Sequence, residues 1–158
     1  MKAAALIALF LTVSVTAAGQ AGRQGPAGPS ITVYKTPTCG CCSKWVDHMR
    51  QNGFVVTVTD LNDVTPIKTK HGVPRQLHSC HTGIVNGYVI EGHIPASDVK
   101  RLLREKPKVA GLAVPGMPSG SPGMEVGGNI KLPPYSVLVF EKSGASRVFS
   151  TQQPGVTR

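Results

Sequence analysis

The chain has 158 residues, and its 17 Lys and Arg against 8 Asp and Glu give a formal net charge of +9 at pH 7. This length is typical of one domain with a modest core. A net positive charge of this size is typical of proteins that bind nucleic acid. However, only 5% of the residues are aromatic and they lie scattered, so a surface that stacks bases is not expected.

The N-terminal stretch, MKAAALIALFLTVSVTAAGQ, has the pattern of a secretory signal. Lys2 supplies the positive charge, residues 3–15 form a short apolar run, and small residues up to Ala18 offer a cleavage site. The run is shorter than the roughly 20 apolar residues that a membrane-spanning helix needs, although an uncleaved anchor is the alternative. The sequence therefore predicts export, with residues 1–18 removed and no stable membrane insertion. Export further disfavours a nucleic-acid partner.

A βαβ unit is predicted after a Gly- and Pro-rich segment, residues 19–30, which has the composition of a flexible leader. ITVYK, residues 31–35, predicts a buried strand, and FVVTVTD, residues 54–60, predicts a second one. Between them, SKWVDHMRQN predicts a helix. Its apolar face is formed by Cys42, Trp45, Val46 and Met49. The two strands should run parallel with a right-handed crossover.

The rest of the chain predicts a short helix over residues 64–70, then a hairpin in TGIVNGYVIEG with a type I′ turn at Asn86-Gly87, and then a helix in ASDVKRLLREKP. This order is that of a thioredoxin-like α/β domain, in which Pro74 stands about where such folds hold a cis-proline. A Gly/Pro/Met-rich loop follows, and YSVLVFEK and RVFST predict a C-terminal β-hairpin. We expect one domain over residues 31–150 and a disordered tail over 151–158.

Three of the four cysteines lie in one turn, Cys39-Gly40-Cys41-Cys42. Cys39 and Cys42 form a C-x-x-C pair at a strand-to-helix junction, where the helix N-terminus stabilises a thiolate. This pattern favours a thiol-disulfide oxidoreductase that uses Cys39 and Cys42 without metal. A purely structural role is disfavoured because a disulfide that closes so small a loop removes little unfolded-state entropy.

The other two thiols favour a metal site instead. Cys41 would compete in any exchange reaction, and Cys80, in LHSCHTG, should lie opposite the turn. Soft thiolates select Cu(I) or Zn(II), and a zinc-binding structural module is a further alternative. Structural zinc sites usually draw paired cysteines from two separate segments. Three thiolates in one turn cannot easily face a single tetrahedral ion, so sulfurs that bridge more than one Cu(I) fit better.

Methionines and histidines supply further donors. Met117 and Met124, each flanked by Gly and Pro, are either thioether ligands for Cu(I) or loop residues that only pack. His81, next to Cys80, is a ligand, a proton-active neighbour or merely hydrogen-bonded. The remaining histidines that we expect to be solvated are His48, His71 and His93.

Four segments carry a resemblance to a known family: YKTPTCGCCSKWVDHM, GVPRQLHSCHT, GYVIEGHIPASDVKRLL and GLAVPGMPSGSPGME. In this order they resemble the CopG-like copper-resistance proteins, small periplasmic domains grouped as domain-of-unknown-function family 411, over about residues 31–150. The resemblance implies a thioredoxin-like fold and a thiolate-bridged copper cluster, with interconversion of Cu(I) and Cu(II). Its implied ligands are the cysteines of the turn and the one before HT, here Cys39, Cys41, Cys42 and Cys80.

These patterns lead to one main hypothesis. We expect a periplasmic copper-binding protein that sequesters more than one Cu(I) and serves copper tolerance. Its partners would be copper ions and other periplasmic copper-handling proteins. Whether it is an enzyme is left open, with copper oxidoreductase as one option.

Overall fold

The computed structural model describes residues 28–128 and 130–154, so the predicted signal peptide, most of the leader and the last four residues lie outside the described residues. The described strands are β1 (Ser30–Lys35), β2 (Val55–Asp60), β3 (Thr82–Val85), β4 (Tyr88–Glu91), β5 (Gly111–Ala113), β6 (Tyr135–Phe140) and β7 (Ser146–Gln152). The α-helices are α1 (Gly40–Gln51), α2 (Thr65–Lys70) and α3 (Ala96–Glu105), and a 3-10 turn spans Arg75–Leu77.

All seven strands form one mixed sheet in the order β2-β1-β3-β4-β5-β6-β7. β1 and β2 are parallel, as the predicted βαβ unit requires, and β3 pairs antiparallel with both β1 and β4. β5 runs parallel to β4, and the C-terminal hairpin of β6 and β7 completes the sheet. The sheet therefore brings the start of α1 and the residues just before β3 to the same end of neighbouring strands.

Apolar side chains cover both faces of this sheet. The larger core cluster joins the buried face of α1 and of α3 to strand residues such as Ile90 and Leu112. The smaller cluster contains their strand neighbours, Val89 and Ala113, together with Leu77 from the 3-10 turn. Because successive side chains in a strand point to opposite faces, α1 and α3 lie on one face, and the segment after α2 covers the other.

The mixed α/β fold and most of the predicted elements are confirmed. The apolar face of α1 is buried as predicted, and Asn86 and Gly87 have φ values of 46° and 83°, as a type I′ turn requires. β7 continues to Gln152, two residues past the predicted domain end, because Gln152 pairs with Tyr135 and its side chain donates a hydrogen bond to Asp98.

Two expectations about the fold are wrong. β5 was predicted as part of a loop, since its three residues are too few to show alternation; its pairing with β4 and β6 makes it a strand. Pro74 does not follow a cis bond, because all peptide bonds in the described ranges are trans. In the part of the chain that the structure describes, no helix has the length and apolar character needed to cross a membrane.

Candidate metal centre

The cysteine turn forms the first turn of α1. Cys39 is the N-cap residue, with extended backbone at φ −76° and ψ 92°, and its carbonyl oxygen accepts a hydrogen bond from the Ser43 amide. No acidic side chain lies in this first turn. The helix N-terminus therefore places its partial positive charge next to the cysteine sulfurs, where it favours thiolates. Cys42 is fully buried on the core face, whereas Cys39 and Cys41 are half-buried.

Cys80 reaches the same place from the segment just before β3. The sulfur atoms of Cys39, Cys41, Cys42 and Cys80 all lie within 4.8 Å of one another, with Cys39 and Cys41 Sγ 3.5 Å apart. The structure therefore brings together the four cysteines that the sequence singled out. We refer to these four residues as the cysteine cluster. Such a set of soft donors is suited to Cu(I) or Zn(II).

The cysteine cluster is half oxidised in this structure. Cys39 and Cys42 form a disulfide with their Cα atoms 5.3 Å apart, and Cys41 and Cys80 are free thiols. Burial raises the pKa of the Cys80 thiol to about 11, and the neighbouring Cys41 adds to that shift. Near neutral pH Cys80 is thus protonated, and a metal ion that binds its sulfur must displace a proton.

His93, expected to be solvated, is instead fully buried and contacts Cys80. Its Nε2 lies 3.0 Å from Cys80 Sγ, and its Nδ1 donates a hydrogen bond of 2.8 Å to the Pro122 carbonyl oxygen. Because that oxygen can only accept, the proton of the neutral ring is on Nδ1 and the lone pair on Nε2 faces the sulfur. Burial lowers the pKa of His93, which keeps the ring neutral. This arrangement is typical of metal-binding histidines.

His81 is also fully buried, next to Cys80. Its Nδ1 lies 3.3 Å from Cys80 Sγ, and its Nε2 has no hydrogen-bond partner among the described residues. The ring packs between Trp45 and His93, with centroid distances of 4.4 and 5.0 Å. Burial, with His93 and Lys68 adding to it, lowers the pKa of His81 well below its usual range. Cys80, His81 and His93 thus form a second donor set that could hold a metal ion.

The other two histidines expected to be solvated are half-buried. His48 accepts a hydrogen bond of 3.1 Å at Nε2 from the Ala96 amide, which links α1 to the start of α3. Burial lowers the pKa of His48 as well. His48 is therefore a structural contact between two helices. His71 is the C-cap residue that follows α2.

The Gly/Pro/Met-rich loop lies against the cysteine turn. Gly123 has φ +85°, and a Cβ there would lie 2.6 Å from the Cys41 carbonyl oxygen and 2.9 Å from the Trp45 amide nitrogen. Only glycine permits this close approach. Met124 follows it and is half-buried, whereas Met117 is 52% exposed. Gly116, next to Met117, accepts a hydrogen bond of 2.5 Å from Ser79 Oγ, one residue from Cys80.

A buried ion pair underlies the segment that carries Cys80. Lys68 in α2 and Glu91 at the end of β4 are 3% and 0% exposed, and Lys68 Nζ lies 2.5 Å from Glu91 Oε1. Glu91 Oε1 also accepts a hydrogen bond of 2.7 Å from the Ser79 amide. Sequence reasoning missed this pair because charged residues are almost never fully buried.

The contact between Cys80 and His93 could have been found from the sequence. The type I′ turn at Asn86-Gly87 places Val85 opposite Tyr88, and the observed pairing continues to Thr82 opposite Glu91. Two residues farther out, the same register places Cys80 opposite His93. The hairpin prediction is confirmed, and the signal for this contact is the register of the hairpin continued two residues beyond the strands.

Residues 77–124 match the family described as "Protein of unknown function, DUF411". The chain is similar to a solved structure named "Copper resistance protein copG- Form 1", with 43% identity and a TM-score of 0.73, over 80% of this chain and 99% of that one. For "Copper resistance protein copG- Form 2" the values are 42% and 0.73, over 78% and 98%. Among curated proteins no match is found.

The matched family segment runs from Leu77, before Cys80, to Met124, and both structural matches span nearly the whole length of the relatives. Identity of this extent goes well beyond a shared fold. The chain belongs to the family of CopG-like copper-resistance proteins.

Proposed function

We propose that this protein binds Cu(I) through its cysteine cluster and sequesters it, and thereby serves copper tolerance. The observation that carries the proposal is the convergence of four sulfur atoms within 4.8 Å of one another at a helix N-terminus. Thiolate donors prefer Cu(I) to harder ions. The relatives, which are named as copper-resistance proteins, support copper as the metal.

The proposed ligands are Cys39, Cys41, Cys42 and Cys80, and they would hold more than one copper ion. Three of them lie in four consecutive positions, so their sulfurs are better placed to bridge ions than to surround a single one. His81 and His93 extend the donor set on the Cys80 side. Met117 and Met124 are proposed as thioether donors on the loop that lies against the turn, where they would act during entry of the ion.

The cysteine cluster also provides for electron transfer. Oxidation of the Cys39 and Cys42 dithiol to the observed disulfide releases two electrons and two protons. Those electrons would reduce two Cu(II) ions to Cu(I). In the reverse direction, two Cu(I) ions would give two electrons to the disulfide, which with two protons returns to the dithiol; a thiol reductant could also supply those two electrons. We therefore propose Cu(I)/Cu(II) interconversion as a second capacity of the same residues.

The Cys39–Cys42 disulfide favours a second candidate function, a thiol-disulfide oxidoreductase that works without metal. A C-x-x-C pair at a helix N-terminus is suited to this reaction. The two candidate functions differ in the role of Cys41. Cys41 is a ligand if the protein binds Cu(I), and it is unnecessary if the protein is a metal-free oxidoreductase.

We also propose a thioredoxin-like fold and a periplasmic location. The order β2-β1-β3-β4, with α1 between parallel β1 and β2, is consistent with a thioredoxin-like domain over residues 31–150 that is extended by β5, β6 and β7. We propose that residues 1–18 are a signal peptide, that the leader from residue 19 up to the start of β1 at Ser30 is flexible, and that the chain after β7 is a disordered tail. The protein would then meet other copper-handling proteins in the periplasm.

Metal analysis tests the main proposal. The mature chain is purified, reduced, and titrated with Cu(I) and, separately, with Zn(II). We expect more than one Cu(I) per chain, bound in preference to Zn(II). Tight binding of a single Zn(II) that Cu(I) does not displace would contradict the proposal. The same protein extracted from a copper-supplemented periplasm should carry copper.

A further inference from the structure

Glu91 is held by hydrogen bonds from both sides of the Cys80-His81 dipeptide. Its Oε1 accepts from the amide of Ser79, the residue before Cys80, at 2.7 Å. Its Oε2 accepts from the hydroxyl of Thr82, the residue after His81, also at 2.7 Å. One buried carboxylate therefore fixes the chain immediately before and immediately after the two donors.

Lys68 completes the arrangement from the neighbouring helix α2. Its Nζ donates to Glu91 Oε1 at 2.5 Å and to Thr82 Oγ1 at 3.0 Å. The carboxylate is thus paired with a buried cation and bonded on both oxygens, as a charge in an apolar interior must be. We refer to Lys68, Ser79, Thr82 and Glu91 as the Glu91 network.

Stability alone gives no reason for such a pair. The cost of removing two charges from water is comparable to their attraction, and well-packed apolar residues in the same volume often give an equally stable protein. An ion pair that is retained in the interior is therefore better explained by the geometry that it imposes. Here that geometry concerns the residues on either side of Cys80 and His81.

A backbone hydrogen bond holds the dipeptide itself as well. The Gly92 amide donates to the His81 carbonyl oxygen at 3.0 Å. A Cβ at Gly92 would lie 2.5 Å from Ser79 Oγ, so glycine is required for Ser79 to approach. Cys80 thus belongs to a segment with little freedom to move, although it lies outside the regular strand.

We propose that Glu91, supported by Lys68, is a positioning residue of the metal centre. It holds Cys80 within reach of the cysteine turn, so that the fourth sulfur, which His81 and His93 contact, meets the other three sulfurs. The metal-binding part of this inference rests on the proposed function. The positioning itself does not, because it can be measured in the metal-free protein.

The experiment measures how well Cys41 and Cys80 are held together. In a Cys39→Ser/Cys42→Ser background the two remaining thiols are equilibrated with glutathione: Cys41 and Cys80 thiols plus oxidised glutathione give the protein disulfide plus two reduced glutathione molecules. The equilibrium constant is the effective concentration of one thiol near the other. A change confined to global stability does not alter this constant while the protein stays folded.

Two matched variants separate the hydrogen bond from the charge. Lys68→Met/Glu91→Gln removes both charges but keeps an oxygen that can accept from the Ser79 amide. Lys68→Met/Glu91→Leu removes both charges and the acceptor. Because a hydrogen bond to a buried group changes an equilibrium by about tenfold, we expect the Leu variant to lower the constant by about tenfold or more. The Gln variant should stay within about threefold of the background, since its acceptor is retained.

The control is the exposed ion pair of Arg101 and Glu105, 2.7 Å apart on α3. Its removal in Arg101→Gln/Glu105→Gln should leave the constant unchanged, and circular dichroism establishes that each variant is folded. If the Leu variant does not fold, Thr82→Val, which keeps the side-chain shape and removes one of the two bonds, replaces it and should also lower the constant.

Three results would overturn the proposal. The first is a background protein that does not form the Cys41–Cys80 disulfide. The others are an equilibrium constant of the Leu variant equal to that of the background, or equilibrium constants that fall equally in the Leu and Gln variants. In the four-cysteine protein the Leu variant should also bind less Cu(I) than the Gln variant. If the protein binds no Cu(I) but the equilibrium constants of the variants change as expected, the proposed function fails and the positioning role stands.

Discussion

Cys80 Sγ lies 3.0 Å from His93 Nε2, and the other ring nitrogen of His93 is fixed by the Pro122 carbonyl oxygen. The lone pair on Nε2 is therefore aimed at the sulfur before any metal is bound. In the metal-free protein the Cys80 thiol can donate its hydrogen to this nitrogen. A metal ion that replaced that hydrogen would find both the sulfur and the nitrogen already oriented.

The first prediction concerns His93. His93→Gln should lower Cu(I) affinity by about tenfold or more, since loss of groups that bind or orient metal ligands typically costs about 10–100-fold. Competition with a chromophoric Cu(I) chelator measures this affinity. His71→Gln, a half-buried histidine at the end of α2, is the matched control and should bind as the unmodified protein does. Equal affinities in all three proteins would exclude His93 from the metal centre.

The second prediction separates the two candidate functions through Cys41. Cys41→Ser should bind fewer copper ions per chain, because a bridging sulfur is lost. Its rate of thiol-disulfide exchange through Cys39 and Cys42 should be at least as high, because a competing thiol is removed. Copper analysis and a disulfide-reduction assay measure the two effects. Unchanged copper content would instead favour the metal-free oxidoreductase.

The third prediction concerns the two methionines of the loop. Met117→Leu/Met124→Leu should fold normally, since such volume-conserving changes usually cost under about 1.5 kcal/mol. It should take up Cu(I) more slowly or more weakly, because leucine offers no sulfur. Stopped-flow measurement of uptake follows the effect, which should be smaller than that of Cys80→Ser. Uptake at the unmodified rate and affinity would mean that both methionines only pack.

The fourth prediction concerns the ionisation of Cys80. Only the thiolate reacts with iodoacetamide, and the pKa of Cys80 is raised to about 11 by burial and by Cys41. Below that pKa the thiolate fraction, and with it the alkylation rate, should rise about tenfold per pH unit. The rate at Cys80, followed by peptide mapping of the metal-free protein with its Cys39–Cys42 disulfide intact, should still be rising at pH 10. A rate that levels off by pH 10 would show an ordinary thiol, because a thiol with a pKa of about 8.5 is almost fully ionised by then.

The cysteine cluster could be predicted because its geometry follows from local patterns. The start of α1 follows from the strand before it, the cysteine turn and the apolar face through Cys42 and Trp45. The parallel βαβ unit places that start beside the segment before β3. Chain order and strand direction were then sufficient to bring Cys80 to the turn.

Burial of polar residues could not be predicted in the same way. His93 was expected to be solvated and glutamate is almost never fully buried, yet both His93 and Glu91 are fully buried. Their partners come from distant parts of the chain: Lys68 from α2 and Pro122 from the loop. A polar residue is buried where a partner meets it, and a one-dimensional pattern does not contain that information. β5 was missed for a similar reason, since its neighbours in the sheet define it.

The register of the β3–β4 hairpin sets the distance between two residues of the candidate metal centre, Cys80 and His93. Its two-residue turn at Asn86-Gly87 sets which residue stands across from Cys80. One residue inserted or deleted there would shift the pairing register by one position and turn the side chains of one strand to the opposite face of the sheet. Cys80 would then no longer lie across from His93. The turn between β6 and β7 sets no such distance, because neither strand carries a donor of the cysteine cluster. Natural relatives that keep the metal centre should therefore vary in length at the second turn and stay constant at the first.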